Sequence, residues 1–168
     1  MEKISLVPIK NSEKENFIVN IQKSFKKAFV EEFGDCDEEI ISREEIINSF
    51  NSPYAVTYNI FCENKIVGGI ILEIHENNLN EISLFFVNVD CHSKGIGQAA
   101  WREIEKIYPN TKIWETVTPY FEKRNIHFYV NKLGFHIVEF YNPKNPDPNE
   151  VDMPGGEYFF RFEKVMGK

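Results

Sequence analysis

The residues whose types and spacing promise chemistry stand together: Ser93, Lys94, Gly95, Ile96, Gly97 and Gln98, separated by three residues from the largely apolar run 85–89. Such a run of β-branched and aromatic residues reads as a buried strand, and Ile96, Ala100, Ile104 and Ile107 keep helical spacing behind the glycines. The pattern predicts strand, glycine loop, helix. The first amides of that helix lack an acceptor one turn back and have the positive end of the macrodipole behind them. An anion, above all a phosphate, suits that position. Gly95 and Gly97 admit a positive φ and keep Cβ atoms out of a ligand's way. Lys94 adds a cation at the same lip. An ordinary tight turn into a helix would use the same glycines, so the neighbouring segments must decide.

Counted from Gly95, the segment Gly95-Ile96-Gly97-Gln98-Ala99-Ala100 satisfies a loose dinucleotide-binding fingerprint, with Glu115 near the distance of a ribose-binding acid. That fingerprint wants its first glycine directly at the strand end, whereas residues 90–94 intervene here. A nicotinamide-dependent oxidoreductase is therefore kept as a competing reading.

Composition narrows the field. A chain of 168 residues with 42% hydrophobic content and 15 phenylalanines suits one domain, 1–168, with a sizeable core. The net charge of −7 speaks against a nucleic-acid surface and for cationic partners. Cys36, Cys62 and Cys91 are far apart and odd in number, which indicates neither a disulfide framework nor a zinc site. The start carries no signal-peptide core and no apolar run reaches membrane-spanning length, so a cytoplasmic, membrane-free protein is expected.

The elements that must position the loop follow from periodicity. Ile4, Leu6 and Pro8-Ile9 suggest a short strand. Ser12 with Glu15 reads as a capping box opening a helix over 12–33, which Gly34 ends. Ser42 with Glu45 opens a second, shorter helix that stops at Ser52-Pro53. Strands are predicted over 54–62 and 65–75, joined by the hairpin signal Glu63-Asn64, and a turn at 77–80 leads to the strand 81–89. After the loop come a helix over 95–108, a strand over 112–118 returning parallel, and a helix starting at Thr118-Pro119 and running to Leu133. A strand over 135–141, a proline-rich loop over 142–155 and a strand over 156–165 close the chain.

Read from His92, the segment His92-Ser93-Lys94-Gly95-Ile96-Gly97 resembles the acetyl-CoA loop of the GNAT superfamily of N-acetyltransferases. That loop reads Gln or Arg, any two residues, Gly, any residue, Gly or Ala; histidine replaces the first residue here. The segment Phe128-Tyr129-Val130-Asn131-Lys132-Leu133-Gly134-Phe135 resembles the closing helix of the same family. The usual spacing puts a tyrosine four residues before the glycine, whereas Tyr129 lies five before Gly134. Either the helix carries an extra residue as a bulge or the tyrosine is displaced.

The resemblance implies an α/β (α+β) fold: a mixed, mostly antiparallel sheet of about seven strands, splayed between the fourth and fifth, flanked by about four helices. It implies acetyl-CoA as co-substrate, its pyrophosphate on the amides of His92, Ser93, Lys94, Gly95, Ile96 and Gly97 with Gln98, its pantetheine arm along Val87 and Val89. An amine of pKa about 10.4 must lose a proton before it attacks. Glu81, eleven residues before His92, is the implied base, with Glu73 and His75 as substitutes, and Tyr129 the donor to the leaving thiolate. A backbone N–H near Val87 would meet the oxyanion. The implied acceptor is a small-molecule, peptide or protein amine. The acids between Glu31 and Glu39 favour a cationic one or are simply solvated. No metal is implied, homodimers occur in the family, and a CoA-binding sensor without turnover is the alternative.

Overall fold

The computed structural model describes residues 3–92, 95–149 and 158–167. The chain opens with β1 (Ile4–Pro8), α1 (Lys14–Phe33) and α2 (Arg43–Asn51). The capping box expected at Ser12 and Glu15 does not form. Ser12 lies in a 3-10 turn, Asn11–Glu13, where the Glu13 carboxylate accepts from the Lys10 N–H at 2.9 Å, and Glu15 turns to the guanidinium of Arg43. A guanidinium fork outcompetes an exposed amide for a carboxylate. Ser42 does cap α2, its Oγ accepting from the Glu45 N–H at 3.0 Å.

An antiparallel meander follows: β2 (Ala55–Cys62), β3 (Lys65–Glu73) and β4 (Leu79–Val87). Glu63 and Asn64 have φ of +50° and +70°, the double positive that a two-residue hairpin needs to match strand twist. Asn80, predicted in a turn, belongs to β4. Its buried amide accepts from the His75 N–H and donates to Thr111 Oγ1, each at 2.8 Å, which pins the start of the strand.

After α3 (Ile96–Ile107) comes β5 (Ile113–Pro119), parallel to β4. Thr118 and Pro119 do not start the next helix, because β6 (His136–Tyr141) and β7 (Phe159–Val165) extend the sheet and β7 pairs with β5 through Thr118↔Phe160 and Pro119↔Phe159. The helix α4 (Lys123–His127) begins later and runs into a π turn, Phe128–Lys132. The first residues of the strand predicted over 156–165 lie outside the described ones. The sheet order is β1-β2-β3-β4-β5-β7-β6. No helix among the described residues is long and apolar enough to cross a membrane.

Helices cover both faces. α1 and α2 bring Phe17, Ile21 and Ile46 onto Ile71 and Phe86, while α3 and the π turn bring Trp101, Ile104 and Tyr129 onto Phe85, Trp114 and Phe162. Gly69 is small for this packing, since a Cβ there would stand 2.2 Å from the Phe17 ring.

The sheet is split at its centre. β4 and β5 pair only through Leu79↔Ile113, Asn80↔Trp114 and Glu81↔Glu115. Beyond that, β4 stays with β3 as far as Val87 and β5 stays with β7 as far as Pro119. A side chain stands at the fork: Thr116 Oγ1 donates to the Ile82 carbonyl at 3.1 Å.

Candidate active site

Where β4 and β5 part, a cleft of about 520 Å³ opens. α1 lies on one face of the sheet and α3 and the π turn on the other, yet all three line this cleft, so it passes through the split. The Asn88 N–H donates to the Val67 carbonyl at 2.7 Å. By antiparallel alternation, Phe85 and Val87 then turn their N–H and C=O groups away from β3 and toward the split.

The Val87 carbonyl accepts from Ser24 Oγ at 3.2 Å and from His92 Nε2 at 2.7 Å. Nε2 therefore carries the proton, and the buried Nδ1 has no partner among the described residues. Burial lowers the His92 pKa and keeps the ring neutral. The histidine that stands in for Gln or Arg thus ties the loop back to the strand.

At the mouth of α3 the first helical bond runs from the Ala99 N–H to the Gly95 carbonyl at 3.1 Å, so the amides of Ile96, Gly97 and Gln98 have no acceptor one turn back. Gly95 caps the helix at φ +74°, a conformation that favours glycine. Gly97 serves a different purpose than a positive φ: a Cβ there would stand 2.9 Å from the Phe128 ring, so it lets α3 and the π turn approach. Gly95, Ile96, Gly97, Gln98, Val87 and His92 all line the cleft. Val89 does not; it borders a second cavity between α1 and residues 37–40. Ser93 and Lys94 lie outside the described residues.

Tyr129 lines the cleft from the other side. The Leu133 N–H reaches back five residues to the Phe128 carbonyl at 3.0 Å, so the extra residue is absorbed as a bulge and Tyr129 stays turned inward. It is 4% exposed and hydrogen-bonded to Thr116 at the fork. Burial, with Glu122 nearby, pushes its phenol well above the usual range.

Glu81 is not in this cleft. Direct register places Glu73 beside Glu81, Glu81 beside Glu115, and Glu115 beside Glu163, a carboxylate row across β3, β4, β5 and β7. Arg161 offsets part of it, lying 2.7 Å from Glu163, 3.0 Å from Glu139 and 3.7 Å from Glu115. Glu73, His75 and Glu81 hold their ligand atoms within 4.8 Å of one another. Burial first, then Glu73 and Glu115, raises the Glu81 pKa. Because Trp114 and Thr116 face α3, Glu115 points to the opposite side of the sheet and does not reach the glycine loop as a ribose-binding acid would.

Residues 18–135 match the acetyltransferase (GNAT) family. The chain belongs to that family. As a GNAT acetyltransferase it is similar to the protein YrkN of Bacillus subtilis (strain 168), 47% identical over 176 residues, covering 99% of this chain and 95% of that one. Its fold is similar to that of the PaiA N-acetyltransferase from Thermoplasma acidophilum, solved with coenzyme A, at TM-score 0.68, 18% identity and coverage of 98% and 99%. It is also similar to a GNAT family acetyltransferase from Elizabethkingia anophelis with acetyl-CoA bound, at TM-score 0.67, 16% identity and coverage of 97% and 98%.

Reading the sequence alone misses three cations of this acetyltransferase's cleft, Lys27, Arg124 and Lys132, and the buried Glu122. Arg124 and Lys132 needed the correct start of α4 to be placed. The acidic stretch from the last turn of α1 onward is dispersed rather than pooled: Glu31 enters the cleft, Glu32 pairs with Lys123 at 2.9 Å, and Asp37, Glu38 and Glu39 border the second cavity.

Proposed function

We propose that this acetyltransferase, acting as one domain, moves the acetyl group of acetyl-CoA to a primary amine of a small cationic acceptor by direct attack in a ternary complex. The observation that carries the reading is the split between β4 and β5, with unpaired helix amides and three cations lining the cleft and a carboxylate row on the strands that form the split. The amides of Ile96, Gly97 and Gln98, with Arg124 and Lys132, suit a diphosphate. The outward N–H and C=O groups of Phe85 suit the amides of a pantetheine arm, and the Val87 N–H, whose own carbonyl is already taken by Ser24 and His92, suits an oxyanion. Glu81, its pKa already raised, suits the removal of a proton from an ammonium that the row attracts. Tyr129 suits proton return to the thiolate.

Free-thiol release from acetyl-CoA with a panel of diamines, polyamines, aminoglycosides and lysine peptides tests this, with mass spectrometry of the acceptor. Release should match acetylated amine one for one and favour polycations over neutral amines. Binding of CoA without thiol release for any amine would leave a sensor module in its place.

A further inference from the structure

Glu122 has no part in the scheme above, yet it is the best-buried carboxylate in the cleft. It stands between the end of β5 and the start of α4, with its N–H donating to the Pro119 carbonyl and its own carbonyl accepting from the Ile126 N–H, each at 3.0 Å. The backbone is therefore held at both ends. The side chain is 4% exposed and lines the cleft, and no hydrogen bond from a described residue reaches its carboxyl group.

A buried anion without a donor is costly. The charges around it do not remove that cost. α1 faces it with Lys27 and Glu31, which are 3.7 Å apart and occupy each other. Arg124 and His127 come from α4, Tyr129 and Lys132 from the π turn, and the neutral His92 from the loop. Burial dominates, Glu31 adds to it and Arg124 opposes it, and the carboxyl is pushed up to about 8. Glu122 therefore keeps its proton at neutral pH and presents an O–H to the cleft.

We propose that neutral Glu122 donates a hydrogen bond to a carbonyl of the acyl-carrying arm, so that binding of CoA takes up a proton wherever the residue is otherwise ionised. This rests on the reading of the cleft as the CoA site. The amide carbonyls of the CoA arm accept from an O–H, and they repel a carboxylate placed against them. Ionisation removes the donor and leaves a carboxylate facing those carbonyls.

The test is calorimetry with desulfo-CoA, which has neither a thiol to ionise nor a thioester to lose, from pH 7.5 to 9.5 in buffers of different ionisation enthalpy. The wild type should take up close to one proton per ligand at pH 9, and its affinity should fall about fivefold between pH 8 and pH 9. Glu122→Gln keeps a neutral donor of the same shape and should bind with no proton uptake and a flat profile. No uptake by the wild type at pH 9, or equal uptake by Glu122→Gln, overturns the inference and leaves the CoA site standing. The wild-type measurement decides alone if the variant does not fold. Failure of the wild type to bind desulfo-CoA at any pH overturns both the inference and the site.

Discussion

The cleft and the carboxylate row use charge in opposite ways and are built by opposite means. The cleft draws on helices: amides left over at the mouth of α3, and cations from α1, α4 and the π turn. The row draws on strands: four glutamates brought side by side by register, with Arg161 against them. Like charges opposite one another destabilise a sheet. Burial first, and the neighbouring carboxylates after it, raise the pKa values of Glu81 and Glu115. A helix mouth gathers donors from consecutive residues, whereas a sheet gathers charges from residues far apart and holds them close. The first suits a fixed anion such as a diphosphate, the second an exchangeable cation.

If the two regions serve different ligands, changes in one must leave the other's constant alone. The largest effect is expected at Glu81. Glu81→Gln should lower turnover about a hundredfold without changing CoA affinity, since a positioned base contributes on the order of a hundredfold or more. Wild-type kcat/KM should rise with pH through an acid limb above the usual carboxylate range, because Glu81 must ionise to act, and the variant should lack that limb. A retained limb would remove Glu81 from the scheme.

Tyr129→Phe comes next, with turnover down about tenfold or more and CoA affinity unchanged. Unchanged turnover would reduce Tyr129 to a strut under Thr116. Smaller effects then separate the regions directly. Arg124→Met and Lys132→Met should each weaken CoA binding about fivefold and flatten its salt dependence while sparing the acceptor KM. Glu115→Gln should raise the acceptor KM roughly threefold and spare CoA affinity. Crossed effects in either pair would merge the two regions into one.

Glu115→Gln also carries a sign that thermal unfolding can check. The folded pKa is raised above the unfolded value, so the folded state binds more protons just above the usual carboxylate range. Stability from this group falls as pH rises through that window, and the variant should gain most on its alkaline side. The smallest effect is expected at Gly97→Ala, with Tm lower by roughly a few degrees as the Phe128 ring gives way to the new Cβ.

Much of the candidate site could be read along the chain because it is contiguous. The strand, loop and helix around Gly95 follow from apolar periodicity and a positive φ, both local properties. The hairpin at Glu63-Asn64 and the cap at Ser42 are legible for the same reason. Where a local signal met a stronger distant partner it failed: Glu15 left its box for Arg43, and Pro119 stayed in the sheet because β7 paired with it.

By itself, then, the sequence determined the order of elements, the turn at Gly95 and the family pattern, since steric limits and side-chain period act over a few residues. Only the tertiary structure decided which side chains meet. The π turn keeps Tyr129 inward, register assembles Glu73, Glu81, Glu115 and Glu163 from three strands' distance, and burial gives Glu122 its proton. Register and desolvation depend on residues remote along the chain, and no short window of sequence contains them.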